Sequence, residues 1–194
     1  MKTGHKLRRG QGGSLLIEVL VAVLLCAFSL LGFASLQARA AGIEFEAQQR
    51  SQALTLVEDM LARIDVNRSR AGEYVSTSLI GAGAVADCSG LNGSALDLCE
   101  WGNLLRGTSE TRGGARVGSM QAARGCITRA AGTTHRFVVA VVWQGLVPSG
   151  AAASPCGDAD TSTYPDASLR RVSAAALCVA LLRDGATPPA VNRC

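Results

Sequence analysis

The chain has 194 residues, 48% of them hydrophobic and only 4% aromatic, with 19 Lys+Arg against 15 Asp+Glu. Lys2, Lys6, Arg8 and Arg9 precede the first apolar run, and no acidic residue does. The rest of the chain is therefore balanced at 15 against 15. Such a balance excludes the electrostatic footprint of a dedicated nucleic-acid binder.

Residues 8–13 read Arg-Arg-Gly-Gln-Gly-Gly, and an apolar run opens at once with Ser14-Leu15-Leu16-Ile17-Glu18-Val19. Ser14 to Leu36 is 23 residues with Glu18 as its one charge. At about 1.5 Å per residue this crosses a hydrocarbon core of about 30 Å. The basic residues before it keep the N-terminus in the cytoplasm by the positive-inside rule, and the remainder is exported. A lone carboxylate in such a run costs roughly 2.5–3.5 kcal/mol on insertion scales and calls for a partner. A positive charge from another subunit would suit. Three plainer readings compete. A secretory signal cut at Ala38-Arg39-Ala40 expects an apolar stretch of about 7–15 residues, shorter than this one. A lipid on Cys26 would want a small residue where Leu25 stands. A simple anchor accounts for the length but not for the Gly-Gly-Ser junction or for Glu18.

This order of residues, over positions 8–36, resembles the class III leader of type IV prepilins and pseudopilins. The resemblance implies cleavage by a prepilin peptidase between Gly13 and Ser14 and methylation of the new terminal Ser14. It also implies that Glu18 pairs with the terminal amine of a neighbouring subunit during assembly. Ser14 stands where Phe is commonest in that family.

No proline occurs before Pro148, and residues 14–67 read as nearly continuous helix. Beyond the apolar run the pattern turns amphipathic. Leu54, Val57, Leu61 and Ile64 repeat at helical spacing with Met60 beside them. Glu46, Gln48, Gln49, Arg50, Glu58, Asp59 and Arg63 take the remaining faces. Gly32 and Gly42 each cost about 1 kcal/mol relative to alanine in a helix. They read equally as points of bending and as places where small residues let helices approach.

Residues 68–194 make one domain of common size, rich in Gly, Ala, Ser and Thr. So few aromatics give a thin core, which cross-links would help. Cys26 lies in the apolar run and is expected to stay a buried thiol. Cys88, Cys99, Cys126, Cys156, Cys178 and Cys194 fall in the head. An even number there fits disulfides in an oxidising periplasm. Spacing leaves their connectivity open. The best single pairing is Cys88–Cys99, the closest pair, which closes a loop contributing about 3 kcal/mol in the chain-entropy model. No C-x-x-C occurs and His135 is the only head histidine, so no metal is expected.

In chain order the head predicts an extended loop or first strand over 73–80 and a helix over 95–106, with Leu98, Trp101 and Leu105 on one face. A short strand follows over 126–129. The clearest strand covers 134–144, with Phe137, Val139, Val141 and Trp143 on one face and Val138, Ala140 and Val142 on the other. Both its faces are therefore expected to be covered. A surface loop over 148–165 and a last strand over 170–182 complete the head. The landmarks Asp97 with Trp101, Gly125-Cys126-Ile127, Val141-Val142-Trp143-Gln144-Gly145, Cys156-Gly157 and Arg170-Arg171-Val172 follow an order that resembles the PilV family of minor pilins, the type IV pilus modification proteins. Trp101 and Trp143 read as core aromatics. Arg170 and Arg171 read as strand-edge or loop residues, with Asp158, Asp160 and Asp166 as candidate partners.

The sequence has no P-loop, no G-x-S-x-G and no H-E-x-x-H, so neither an enzyme nor a cofactor is expected. The expected fold class is α+β and type IV pilin-like: a long N-terminal helix on a C-terminal antiparallel sheet. It divides into a leader (1–13), a membrane-embedded half-helix (14–36), an amphipathic half-helix (37–67) and a disulfide-stapled head (68–194). The expected function is that of a minor pilin in type IV pilus assembly, anchored in the inner membrane with its head in the periplasm. Its partners would be other minor pilins, the major pilin and the prepilin peptidase. The alternatives are a minor pseudopilin of a type II secretion system and a membrane-tethered periplasmic binding or adhesion module.

Overall fold

The computed structural model describes residues 14–109, 111–113, 115–116, 120–133 and 135–179. They fall into two compact units that divide after Phe45. Helix α1, Ser14–Val66, supplies the described part of the first unit and the opening of the second. It is unbroken at Gly32 and Gly42, and a Cβ at either would meet nothing within 4 Å. Neither glycine is thus required by a contact inside the chain.

In the second unit α1 buries Ala53, Val57, Met60 and Ile64. This corrects the expected stripe. Leu54 is 41% exposed and Leu61 only half-buried, while Gln49 is buried. Both sets share Val57, Met60 and Ile64, Leu61 still packs against the core from its edge, and both have helical spacing. What selects the alanine-bearing face is what docks there, because small Ala53 lets other elements come close.

A short 3₁₀ helix, Arg68–Tyr74, follows α1 and was not foreseen. Residues 75–80 then run as a loop, held to the sheet by an isolated bridge between Ile80 and Gly125. Helix α2, Ser94–Leu105, begins after Gly93, whose φ of 57° suits glycine. Asp97 lies in its first turn, where the helix dipole favours a carboxylate. Trp101 and Leu105 are buried as the periodicity requires, with Leu98 packed against them.

A two-residue ribbon of β1 (Thr111–Arg112) and β2 (Ala115–Arg116) precedes the main sheet. Elements this short carry too little pattern to be read from sequence. The main sheet has β3 (Arg124–Arg129), β4 (Arg136–Gln144) and β5 (Arg170–Cys178) in that order, all antiparallel. The last strand stops at Cys178, short of the expected Leu182; residues from 180 onward lie outside the described ones.

Register sorts the two faces. Val139 stands opposite Ile127 and Ala175, and these join Phe137, Val141 and Trp143 in one core with α1 and α2. Ala140 stands opposite Cys126 and Ala174, and Val142 opposite Val172. That second face is covered by Cys156 and Tyr164 from the 148–165 segment. The segment is a surface loop with a buried underside.

Gly125 is fixed by its neighbour. A Cβ there would lie 2.2 Å from Cζ3 and 2.3 Å from Cη2 of the fully buried Trp101 ring. The ring cannot retreat, because its Nε1–H donates to the Leu56 carbonyl at 2.8 Å. Overpacked cores commonly lose about 1–3 kcal/mol. Gly125→Ala should therefore destabilise the detergent-solubilised chain by about 3 kcal/mol in urea titration. An unchanged midpoint would mean that the indole does not lie over this strand.

Candidate functional site

Among the described residues of the first unit, the apolar run of α1 has no buried side (residues 16–36). Every large apolar side chain from Leu16 to Leu36 is exposed. The helix is long and apolar enough to cross a membrane, and its apolar stretch is not buried. Glu18 lies on this surface, and no cation is in salt-bridge range of it among the described residues. Ser14 is the first residue of α1, and Gly13 lies outside the described residues. Cys26 is free as expected, but exposed rather than buried.

The head is closed by cross-links and by arginines. Cys88–Cys99 forms as expected, and Cys126–Cys156, a pairing that spacing had left open, joins β3 to the 148–165 loop. Cys178 is also disulfide-bonded, and Cys194 lies outside the described residues. Buried Arg170 reinforces the loop. Its Nη1 donates to the carbonyls of Ser154 (2.8 Å) and Cys156 (2.7 Å). Its Nη2 donates to the carbonyl of Ala152 and to Asp158, both at 3.1 Å. Pairing with Asp158 was among the expected options.

Two further ties join α1 to the rest of the head. Arg63 donates to Asp59 (3.1 Å), Asp97 (3.0 Å) and Glu100 (2.7 Å), so it bridges α1 and α2. The Tyr74 hydroxyl donates to Asp97 and accepts from Asn67 Nδ2 at 3.1 Å. At the first turn of the unit, Glu46 Oε1 accepts the backbone N–H groups of Leu146 and Val147, both at 3.2 Å, and faces Arg171 Nη2 at 3.4 Å. With a sequence separation of 125, Glu46 and Arg171 left no sign of this pair in the sequence. The Arg63–Asp59 contact, by contrast, has the i,i+4 spacing of a helix pair.

One groove of about 580 Å³ opens beside the Cys126–Cys156 bridge, between Ser76–Leu79 and Ser154–Asp160, with Thr128 and Val138 in its lining. Its lining carries hydroxyls and one carboxylate but no aromatic ring and no nucleophile–base pair. No group of His, Cys, Asp and Glu capable of holding a metal occurs among the described residues. Comparison of the chain with protein-family models, with curated proteins and with solved structures finds no match. The resemblance to prepilins and to the PilV family therefore stands on the quoted residues alone.

The chain has two tyrosines, and both are buried. Burial, and then the hydrogen bond to Asp97, pushes Tyr74 up to about 12. Burial likewise pushes Tyr164 up to about 12; its hydroxyl donates to the Ala122 carbonyl at 2.5 Å. Phenolate absorbance of the native protein should thus stay silent near pH 10, the ordinary tyrosine value, and rise near 12. Because the folded values lie above the unfolded one, the stability linked to these groups is fully present below about pH 10 and is lost as pH rises through about 12. A native phenol titrating near 10 would contradict this burial.

Proposed function

We propose that this chain is a minor pilin, an inner-membrane subunit with a periplasmic head that joins other pilins during type IV pilus assembly. The observation that carries the reading is the stretch of α1 from Leu16 to Leu36: an exposed apolar helical surface whose one charge is Glu18. Before assembly, lipid covers that surface. In a fibre, stems of like subunits would replace the lipid, and Glu18 would meet the amine freed by cleavage after Gly13. Such a buried charge pair adds little net stability, and its use is to fix register between neighbours. The two mapped disulfides fit a head that matures in an oxidising compartment.

Intact mass of the membrane-extracted protein should show loss of residues 1–13, one methyl group at Ser14 and oxidised head cysteines. Gly13→Leu should retain the leader, and a mass unaffected by that change would remove the peptidase from the account. Glu18→Ala should insert at least as well, since it removes a charge that insertion into lipid penalises. It should nonetheless reduce incorporation into surface fibres by about tenfold or more. Full incorporation of Glu18→Ala would favour the tethered binding module.

A further inference from the structure

The chain has four asparagines, at positions 67, 92, 103 and 192, and the first three lie among the described residues. Two of these three are tied down. Asn67 Nδ2 donates to the Tyr74 hydroxyl at 3.1 Å. Asn103 Nδ2 donates to the Ala86 carbonyl at 2.8 Å, and its Oδ1 accepts from the Ala86 N–H at 3.0 Å and from Arg106 Nη1 at 2.9 Å. The residue after Asn103 lies inside α2, where the helical ladder holds its N–H. Asn92 differs on every count. It is exposed, and its side chain makes no hydrogen bond among the described residues.

The residue after Asn92 decides its chemistry. Gly93 has no side chain to obstruct an approach, and a Cβ there would meet nothing within 4 Å. Its carbonyl accepts the Asp97 N–H at 3.1 Å, but its own N–H makes no hydrogen bond among the described residues. A peptide nitrogen is a weak nucleophile because its lone pair is delocalised into the carbonyl. Once it gives its proton to hydroxide, that restraint is lifted. The side-chain amide of the preceding asparagine is then near enough to close a five-membered ring.

We propose that the Asn92–Gly93 link is a site of spontaneous modification that converts with the age of the chain. The deprotonated Gly93 nitrogen forms a bond to Cγ of Asn92. The Cγ–Nδ2 bond breaks, and the nitrogen takes up a proton and leaves as ammonia. Water then opens the cyclic imide at either carbonyl. One opening leaves aspartate at position 92; the other routes the main chain through the former side chain as isoaspartate. Water is the only co-reactant. Either product carries a new carboxylate just before the first turn of α2, where the helix dipole favours an anion. The Cys88–Cys99 bridge spans the site, so the altered turn stays anchored at both ends.

The test incubates the purified, detergent-solubilised full chain in warm, mildly alkaline buffer and follows each asparagine by peptide mass spectrometry. Asn92 should convert to a mixture of aspartate and isoaspartate at least severalfold faster than Asn67 or Asn103. A reduced peptide of residues 88–99 sets the unrestrained rate, and the folded chain should approach it. Asn92→Gln, which would have to close a six-membered ring, should stay unmodified and keep the melting temperature of the parent. Gly93 is left in place because its φ of 57° would strain any other residue. An Asn92 that persists in the folded chain while the peptide converts would overturn the proposal. So would equal rates at the three asparagines, or a glycan already attached to the Asn92 nitrogen in the native product.

Discussion

Trp101 is the residue on which the head's architecture turns. Its indole N–H is bound to a carbonyl of α1, its ring lies on Gly125 of β3, and its backbone belongs to α2. Three elements distant in sequence are fixed by one side chain. The hydrogen bond sets how far the ring reaches, and the missing Cβ at Gly125 sets how close the sheet can come. The stem carbonyl it uses is already an acceptor within the helix, so the extra bond satisfies the indole without breaking the helical ladder. Around this joint the apolar core closes over Ile64, Tyr74, Ile127 and Val139.

The polar ties divide their work by position. Arg63 gathers carboxylates from α1 and α2 at one level of the helix, and Glu46 gathers donors from the β4 end and from β5 at another. Arg170 has a different duty, filling the underside of a loop with four acceptor contacts. Adjacent arginines in one strand point to opposite faces, so Arg170 and Arg171 serve different structures although they are neighbours in sequence. A thin, aromatic-poor core gains from such ties because each replaces packing that larger side chains would otherwise provide.

The long helix, α2 and β4 were legible because their periods are long and unambiguous. β4 shows apolar residues on both faces, and the sheet is covered on both. Cys88–Cys99 could be read because the two cysteines lie 11 residues apart around a turn-forming stretch. Cys126–Cys156 could not, since it depends on which sheet face the long loop crosses. The stem's inward stripe was misread at Leu54 because two overlapping helical sets contain Val57, Met60 and Ile64. Only the docking partners choose between Ala53 and Leu54. Glu46 looked like an ordinary solvated charge for a similar reason: its donors come from more than a hundred positions downstream.

Because Glu46, Leu56 and Arg63 belong to one helix, their attachments to the head are spread over about 26 Å of a stiff element. A tensile force applied to that helix would load all three attachments at once, in parallel, instead of peeling them away in succession. The head is consequently built to bear shear along its stem better than a domain hung from a single flexible tether.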